Sequence, residues 1–195
     1  RSIAMPQLSK YIDKALELDP NSSWLYNLRG SKVAWFEWNW EKGEQDFLKS
    51  IEINPNHAGN HAFYAYLLTH LRRTDEALNH ARIAVDLDPL NPMILGLCAG
   101  VFIESGECKY ALTLIEKAIT IEPEHFFTYP KLIDASICIG DYQKAFDTTK
   151  RLNSALWDKH NKTDEFELIF LEQGWITYQE KAIKFYEEIG LQNKY

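Results

Sequence analysis

The sequence predicts an all-α chain of antiparallel helix pairs stacked as a solenoid, and three observations carry that prediction. Pro20, Pro55, Pro89 and Pro123 are separated by 35, 34 and 34 residues. Each is preceded directly by an acidic or amide residue (Asp19, Asn54, Asp88, Glu122) and, five places earlier, by a small one (Ala15, Ser50, Ala84, Ala118). Small residues recur in step elsewhere: Gly30, Ala65 and Ala99 fall ten places after successive prolines, and Ala77, Ala111 and Ala145 fall 22 after. A fixed period of this length marks a repeated supersecondary unit, and chance does not produce it four times.

The elements follow in order. Residues 7–20 match the second helix of a pair and form a half repeat. Repeats then span 23–55, 57–89, 91–123 and 125–157. Within each, apolar residues before the proline recur at helical spacing, as in Ala111, Leu112, Leu114, Ile115, Ala118, Ile119 and Ile121. Proline cannot continue a helix and disfavours helical geometry in the residue before it, so each second helix stops there. Between the helices of a pair, Gly106-Glu107-Cys108 and Gly140-Asp141-Tyr142 suit a helix stop and restart. Arg73-Thr74-Asp75-Glu76 takes the same place, with Thr74 the expected N-cap. In the first pair, Trp35 to Glu41 carries three tryptophans and reads as a turn, where one extra residue lengthens the repeat. Residues 153–163 read as a polar connection, although Leu156 and Trp157 are apolar enough to pack. Residues 164–189 read as a degenerate capping pair, with or without a break between Gly174 and Tyr178.

This pattern closely resembles the tetratricopeptide repeat family, and the resemblance covers roughly Leu8 to Leu152. It implies a right-handed α-α superhelix of antiparallel helix pairs, a concave groove formed largely by the first helix of each pair, and a role in protein recognition. Trp35 to Glu41, Asn60 to Leu68 and Leu87 to Pro92 resemble a branch often joined in bacteria to winged-helix regulators, nucleotide cyclases or kinases. A bacterial signalling context is what that branch implies.

Distance from the prolines then assigns the groove. The first full repeat contributes Trp24, Asn27, Ser31 and Trp35, and the second Ala62, Tyr66 and His70. The third contributes Met93, Gly96 and Gly100, and the fourth Phe127 and Asp134. This face is apolar and aromatic and nearly free of Lys and Arg, so a basic clamp for an acidic chaperone tail is not expected. A partner polypeptide with an apolar stripe, helical or extended, fits better. Gly96 and Gly100 read either as a shallow spot for a bulky ligand side chain or as a site of close helix packing. The alternatives to a scaffold are a module that senses a small ligand or peptide, and self-association as a homodimer.

Other chemistry is not signalled. The net charge is −7 with 21 scattered Lys and Arg residues, which argues against nucleic acid and against direct contact with anionic membranes. His57 and His61 have metal-ligand spacing but no third partner, and His70, His80, His125 and His160 read as isolated. Gly-rich phosphate loops and Gly-x-Ser-x-Gly are absent. No catalytic residue, metal or cofactor is therefore expected. The three cysteines have no close spacing and read as free thiols in a reducing compartment. The opening Arg1-Ser2-Ile3 has neither a starting Met nor a signal-peptide pattern. It suggests a fragment of a larger cytoplasmic protein, or a periplasmic one if an anchor lies upstream.

Overall fold

The computed structural model describes residues 4–125 and 127–190, so the Arg1-Ser2-Ile3 opening lies outside the described residues. They form ten helices and no strand: α1 (Ala4–Leu18), α2 (Ser23–Phe36), α3 (Trp40–Ile53), α4 (Ala58–His70), α5 (Thr74–Leu87), α6 (Pro92–Glu104), α7 (Cys108–Ile121), α8 (Thr128–Cys138), α9 (Tyr142–Lys159) and α10 (Thr163–Glu188). The chain divides into two compact units, residues 1–131 and 132–195, with the boundary inside α8.

In the first unit α2 packs on α3, α4 on α5 and α6 on α7, while α4 also touches α2 and α6. The recurring small residues explain the close approach of paired helices. A Cβ added at Gly43 would come within 2.8 Å of Ala34 Cβ, and one at Gly30 within 3.1 Å of the Gly43 carbonyl. Ala65, Ala77, Ala99 and Ala111 are all fully buried. Phe47, Leu67, Leu68, Leu95, Phe102 and Ile115 fill the remaining space, and each is worth roughly 1.5–3 kcal/mol out of water.

Turns repeat as faithfully as helices. Residues of positive φ sit at Trp38, Arg72, Gly106 and Gly140, at intervals of 34. After each, a backbone N–H reaches back to a carbonyl of the helix just ended: Arg73 to Leu68 (3.0 Å), Glu107 to Phe102 (2.8 Å) and Asp141 to Ser136 (2.8 Å). This closure satisfies carbonyls that the helix end would leave bare. At Trp38 the bond runs from Asn39 to Val33 (3.1 Å), one residue longer. The extra residue of the first repeat is absorbed at this end of α2.

Thr74 does not cap α5. The closure at Arg72 starts the helix immediately after Arg73, so Thr74 is already helical, and Arg73 holds the cap position without a side-chain cap bond. Its guanidinium instead grips Glu76, with both bonds at 2.7 Å, and Glu44.

The second unit differs from the sequence reading in one respect. Residues 153–163 are not a connection, because α9 continues to Lys159. The reason is Trp157, which is wholly buried and donates its indole N–H to Tyr186 Oη at 2.9 Å. Around it lies an aromatic core of Phe146, Phe166, Phe170, Trp175, Tyr178 and Phe185, with Phe146 and Phe170 stacked at 4.3 Å. Gly174 (φ 82°, ψ −179°) kinks α10.

The cysteines also depart from expectation. Cys98 is a free, buried thiol, whereas Cys108 and Cys138 are each disulfide-bonded. Wide separation in sequence hid this, since spacing alone does not show whether a thiol is bonded.

Candidate functional site

The first unit carries a recess of about 630 Å³ built from three levels of the stack. Trp24, Asn27, Leu28 and Ser31 come from α2. Asn56, His57, Ala58, Gly59 and Phe63 come from the α3–α4 turn and α4. Leu87, Asp88, Asn91, Met93 and Ile94 come from the end of α5, the following turn and α6. Trp24 and Met93 are 59% and 44% exposed, so both offer apolar surface at the recess.

The walls are held by amides. Asn27 is only 7% exposed and donates from Nδ2 to the Gly59 carbonyl (3.3 Å), tying α2 to α4. Asn60 is fully buried and donates to the carbonyls of Ser50 (2.9 Å) and Asn54 (3.1 Å), closing the end of α3. Asn91 caps α6, its Oδ1 accepting from the backbone N–H groups of Met93 (3.1 Å) and Ile94 (3.4 Å), while its Nδ2 donates to Asp88 Oδ2 (2.9 Å). His61 Nε2 bonds the Pro55 carbonyl at 2.9 Å, fixing the turn that supplies Asn56 and His57.

Of the twelve groove residues expected from sequence, Trp24, Asn27, Ser31 and Met93 come together here. Trp35 and Tyr66 lie outside the recess, ring to ring at 5.7 Å, and Trp35 also meets Phe47 and Phe63. The Trp35 indole N–H is buried without a partner among the described residues, so this ring serves packing. His70 sits against Tyr66 and bonds its carbonyl at 2.9 Å. Ala62 is fully buried and offers no surface to a ligand. A Cβ at Gly96 would meet the Phe127 ring at 3.0 Å, and one at Gly100 the Lys131 side chain at 3.6 Å, so both glycines lie under side chains of the next level. Asp134 is exposed in the second unit.

Sequence reasoning missed the turn residues Asn56, His57, Asp88 and Asn91. Their signal was available, because they flank Pro55 and Pro89. It also missed that His61 pairs with His80 rather than with His57, which stands exposed at the start of α4 with its ring against Gly59.

Against known proteins, no family model matches. The chain is 26% identical over 157 residues to anaphase-promoting complex subunit 3 of Schizosaccharomyces pombe, covering 80% of this chain and 23% of that protein. It spans about a quarter of the length of the curated relatives it matches. Among solved structures, PilW, a type IV pilus biogenesis factor, aligns at TM-score 0.72 and 15% identity over 97% of this chain and 88% of its own. The first TPR domain of Spaghetti (RPAP3), solved with the HSP90 peptide SRMEEVD, aligns at TM-score 0.54 and 14% identity over 60% of this chain and 95% of its own. The chain has the tetratricopeptide repeat solenoid fold. In tetratricopeptide terms the recess lies on the first helices of three successive repeats. Among the described residues, no helix is long and apolar enough to cross a membrane.

Proposed function

We propose that this chain is a protein-interaction scaffold whose first unit holds a partner polypeptide against Trp24, Leu28, Phe63, Leu87, Met93 and Ile94. The observation that carries the reading is the recess itself, apolar in its walls and fringed by amide side chains and a helix start. Apolar anchors supply affinity in such grooves, and a few amides fix the backbone of what binds. Among the described residues no Lys or Arg lines the recess, so an acidic chaperone tail finds none of the cations there that would hold it. The SRMEEVD peptide on the RPAP3 domain and the relative named as a subunit of a larger complex both favour polypeptide recognition. On this reading the chain performs no reaction and serves as one module of a larger regulatory protein. The disulfide-bonded Cys108 and Cys138 favour an oxidising compartment over the cytoplasm.

The test is selection from a displayed random heptapeptide library, followed by calorimetry on synthetic versions of the selected peptides. The Trp24→Ala, Met93→Ala double variant should bind at least about tenfold more weakly, each anchor being worth on the order of 1–3 kcal/mol. Its circular dichroism melt should match that of the wild type, since both side chains are exposed. Undiminished binding by the double variant would move the site elsewhere.

A further inference from the structure

We infer that the groove selects a partner segment carrying a basic side chain beside its apolar anchors, and that Asp88 is the residue that reads it. This inference rests on the groove reading above.

Among the described residues, Asp88 is the only carboxylate lining the recess, and no lining residue is Lys or Arg. One of its oxygens accepts from Asn91 Nδ2 at 2.9 Å. The other has no hydrogen bond or ion pair among the described residues. Asn91 is itself fixed by capping α6, and the Asp88 backbone N–H is tied to the Ala84 carbonyl at 3.1 Å. The carboxylate is thus held in place before any ligand arrives, with an acceptor to spare.

Its setting strengthens the pull on a cation. Asp88 is half-buried beside Leu87 and Ile94, and a charge against apolar walls is screened less than one in open water. The chain as a whole is at −7, so its long-range field also favours a cationic partner. Opposing this, the starts of α4 and α6 place partial positive charge at the same rim. Each amounts to about half a charge, and that of α6 is already answered by the Asn91 cap. A full carboxylate with a spare oxygen outweighs them. The equivalent residues Asp19, Asn54 and Glu122 lie exposed and outside the recess, so only one of the four repeats makes this offer.

The peptide selection described above decides it. Heptapeptides selected on the wild-type chain should be enriched in Lys or Arg. Replacing the basic residue of a selected peptide by Gln should weaken binding to the wild type by roughly tenfold, the scale of one charge-assisted hydrogen bond. Asp88→Asn keeps an oxygen for Asn91 and should lose most of that difference, along with the salt dependence of binding. A melt of Asp88→Asn matching the wild type shows that the turn is intact, and Asp88→Ser is the second variant if it is not. Selected peptides without basic enrichment, or equal discrimination by wild type and Asp88→Asn, would overturn this inference. If those peptides still lose affinity with Trp24→Ala and Met93→Ala, the groove reading survives it. If they do not, or if nothing is selected, both fall.

Discussion

His61 Nδ1 lies 2.8 Å from His80 Nδ1, with the two rings stacked at a centroid distance of 5.1 Å. The Pro55 carbonyl can only accept, so His61 carries its proton on Nε2 and presents a bare Nδ1 to His80, which must donate. The pair therefore depends on the N–H that His80 carries on Nδ1. His80 is held below its ordinary value first by burial and then by His61; Glu76 pulls the other way, and Arg73 adds to the depression. From α4, Tyr64 sets its ring edge-on to His80 at 4.9 Å, and Glu44 of α3 accepts the Tyr64 hydroxyl at 2.8 Å.

The sign of the pH effect follows. An unfolded chain protonates its histidines near pH 6.5, while the folded His80 resists. The stabilisation is therefore complete above about pH 6.5 and is lost as pH falls through that value towards the folded one. Urea midpoints measured between pH 8 and pH 5 should drop more steeply for the wild type than for His80→Gln, whose amide can still donate to His61. His80→Ala should cost about 1–3 kcal/mol even at pH 8, since it strands the buried Nδ1 of His61. Parallel pH profiles for wild type and His80→Gln would remove the pair as the cause.

Much of the fold was legible because it is written in residues whose physics is local. Pro20, Pro55, Pro89 and Pro123 stop helices wherever they stand, and Ala77, Ala111 and Ala145 report close approach by their size alone. What escaped was non-local. His61 and His80 are 19 residues apart and carry no spacing signal. Trp157 read as apolar enough to pack, but its indole partner, Tyr186, lies 29 residues on and left no mark at that distance. The recess was legible only in part. The α2 face could be counted off from Pro20, whereas Asp88 and Asn91 looked like ordinary punctuation around a proline.

The two kinds of glycine in the first unit should respond oppositely to alanine. At Gly43 the new methyl would come within 2.8 Å of Ala34 Cβ and 3.2 Å of its backbone nitrogen, neither of which can yield without parting α2 from α3. Gly43→Ala should destabilise by about 1–3 kcal/mol. At Gly100 the methyl meets only the flexible Lys131 stem at 3.6 Å, and alanine suits a helix better by about 0.8–1 kcal/mol. Gly100→Ala should be neutral or stabilising. Chemical denaturation of both variants checks the contrast, and equal losses would contradict it.

Trp38 and Arg72 occupy with large side chains the position that Gly106 and Gly140 fill in later repeats, at φ 56° and 60°. The left-handed region costs an L-residue about 1–2 kcal/mol. Glycine avoids that cost but gives back about 0.5–1 kcal/mol through its freer unfolded state. Arg72→Gly should therefore stabilise by roughly 0.5–1 kcal/mol. Asn161, at φ 53°, should gain less on the same change, because asparagine tolerates this region. A thermal melt in which Asn161→Gly gains as much as Arg72→Gly would show that something other than backbone strain is at work.

Thiol counting separates the two classes of cysteine. Cys98 is wholly buried on α6, and burial pushes its thiol up to about 12, so little thiolate exists at pH 8 to attack a disulfide reagent. The native chain should react with Ellman's reagent very slowly. In denaturant without reductant one thiol should titrate, because Cys108 and Cys138 are each held in a disulfide. Three should appear only after reduction. Three thiols without reductant would withdraw the argument for an oxidising compartment, leaving the groove and its partner untouched. Fast reaction of the native chain would mean that α6 opens readily, and the wall formed by Met93 and Ile94 would then be a moving one.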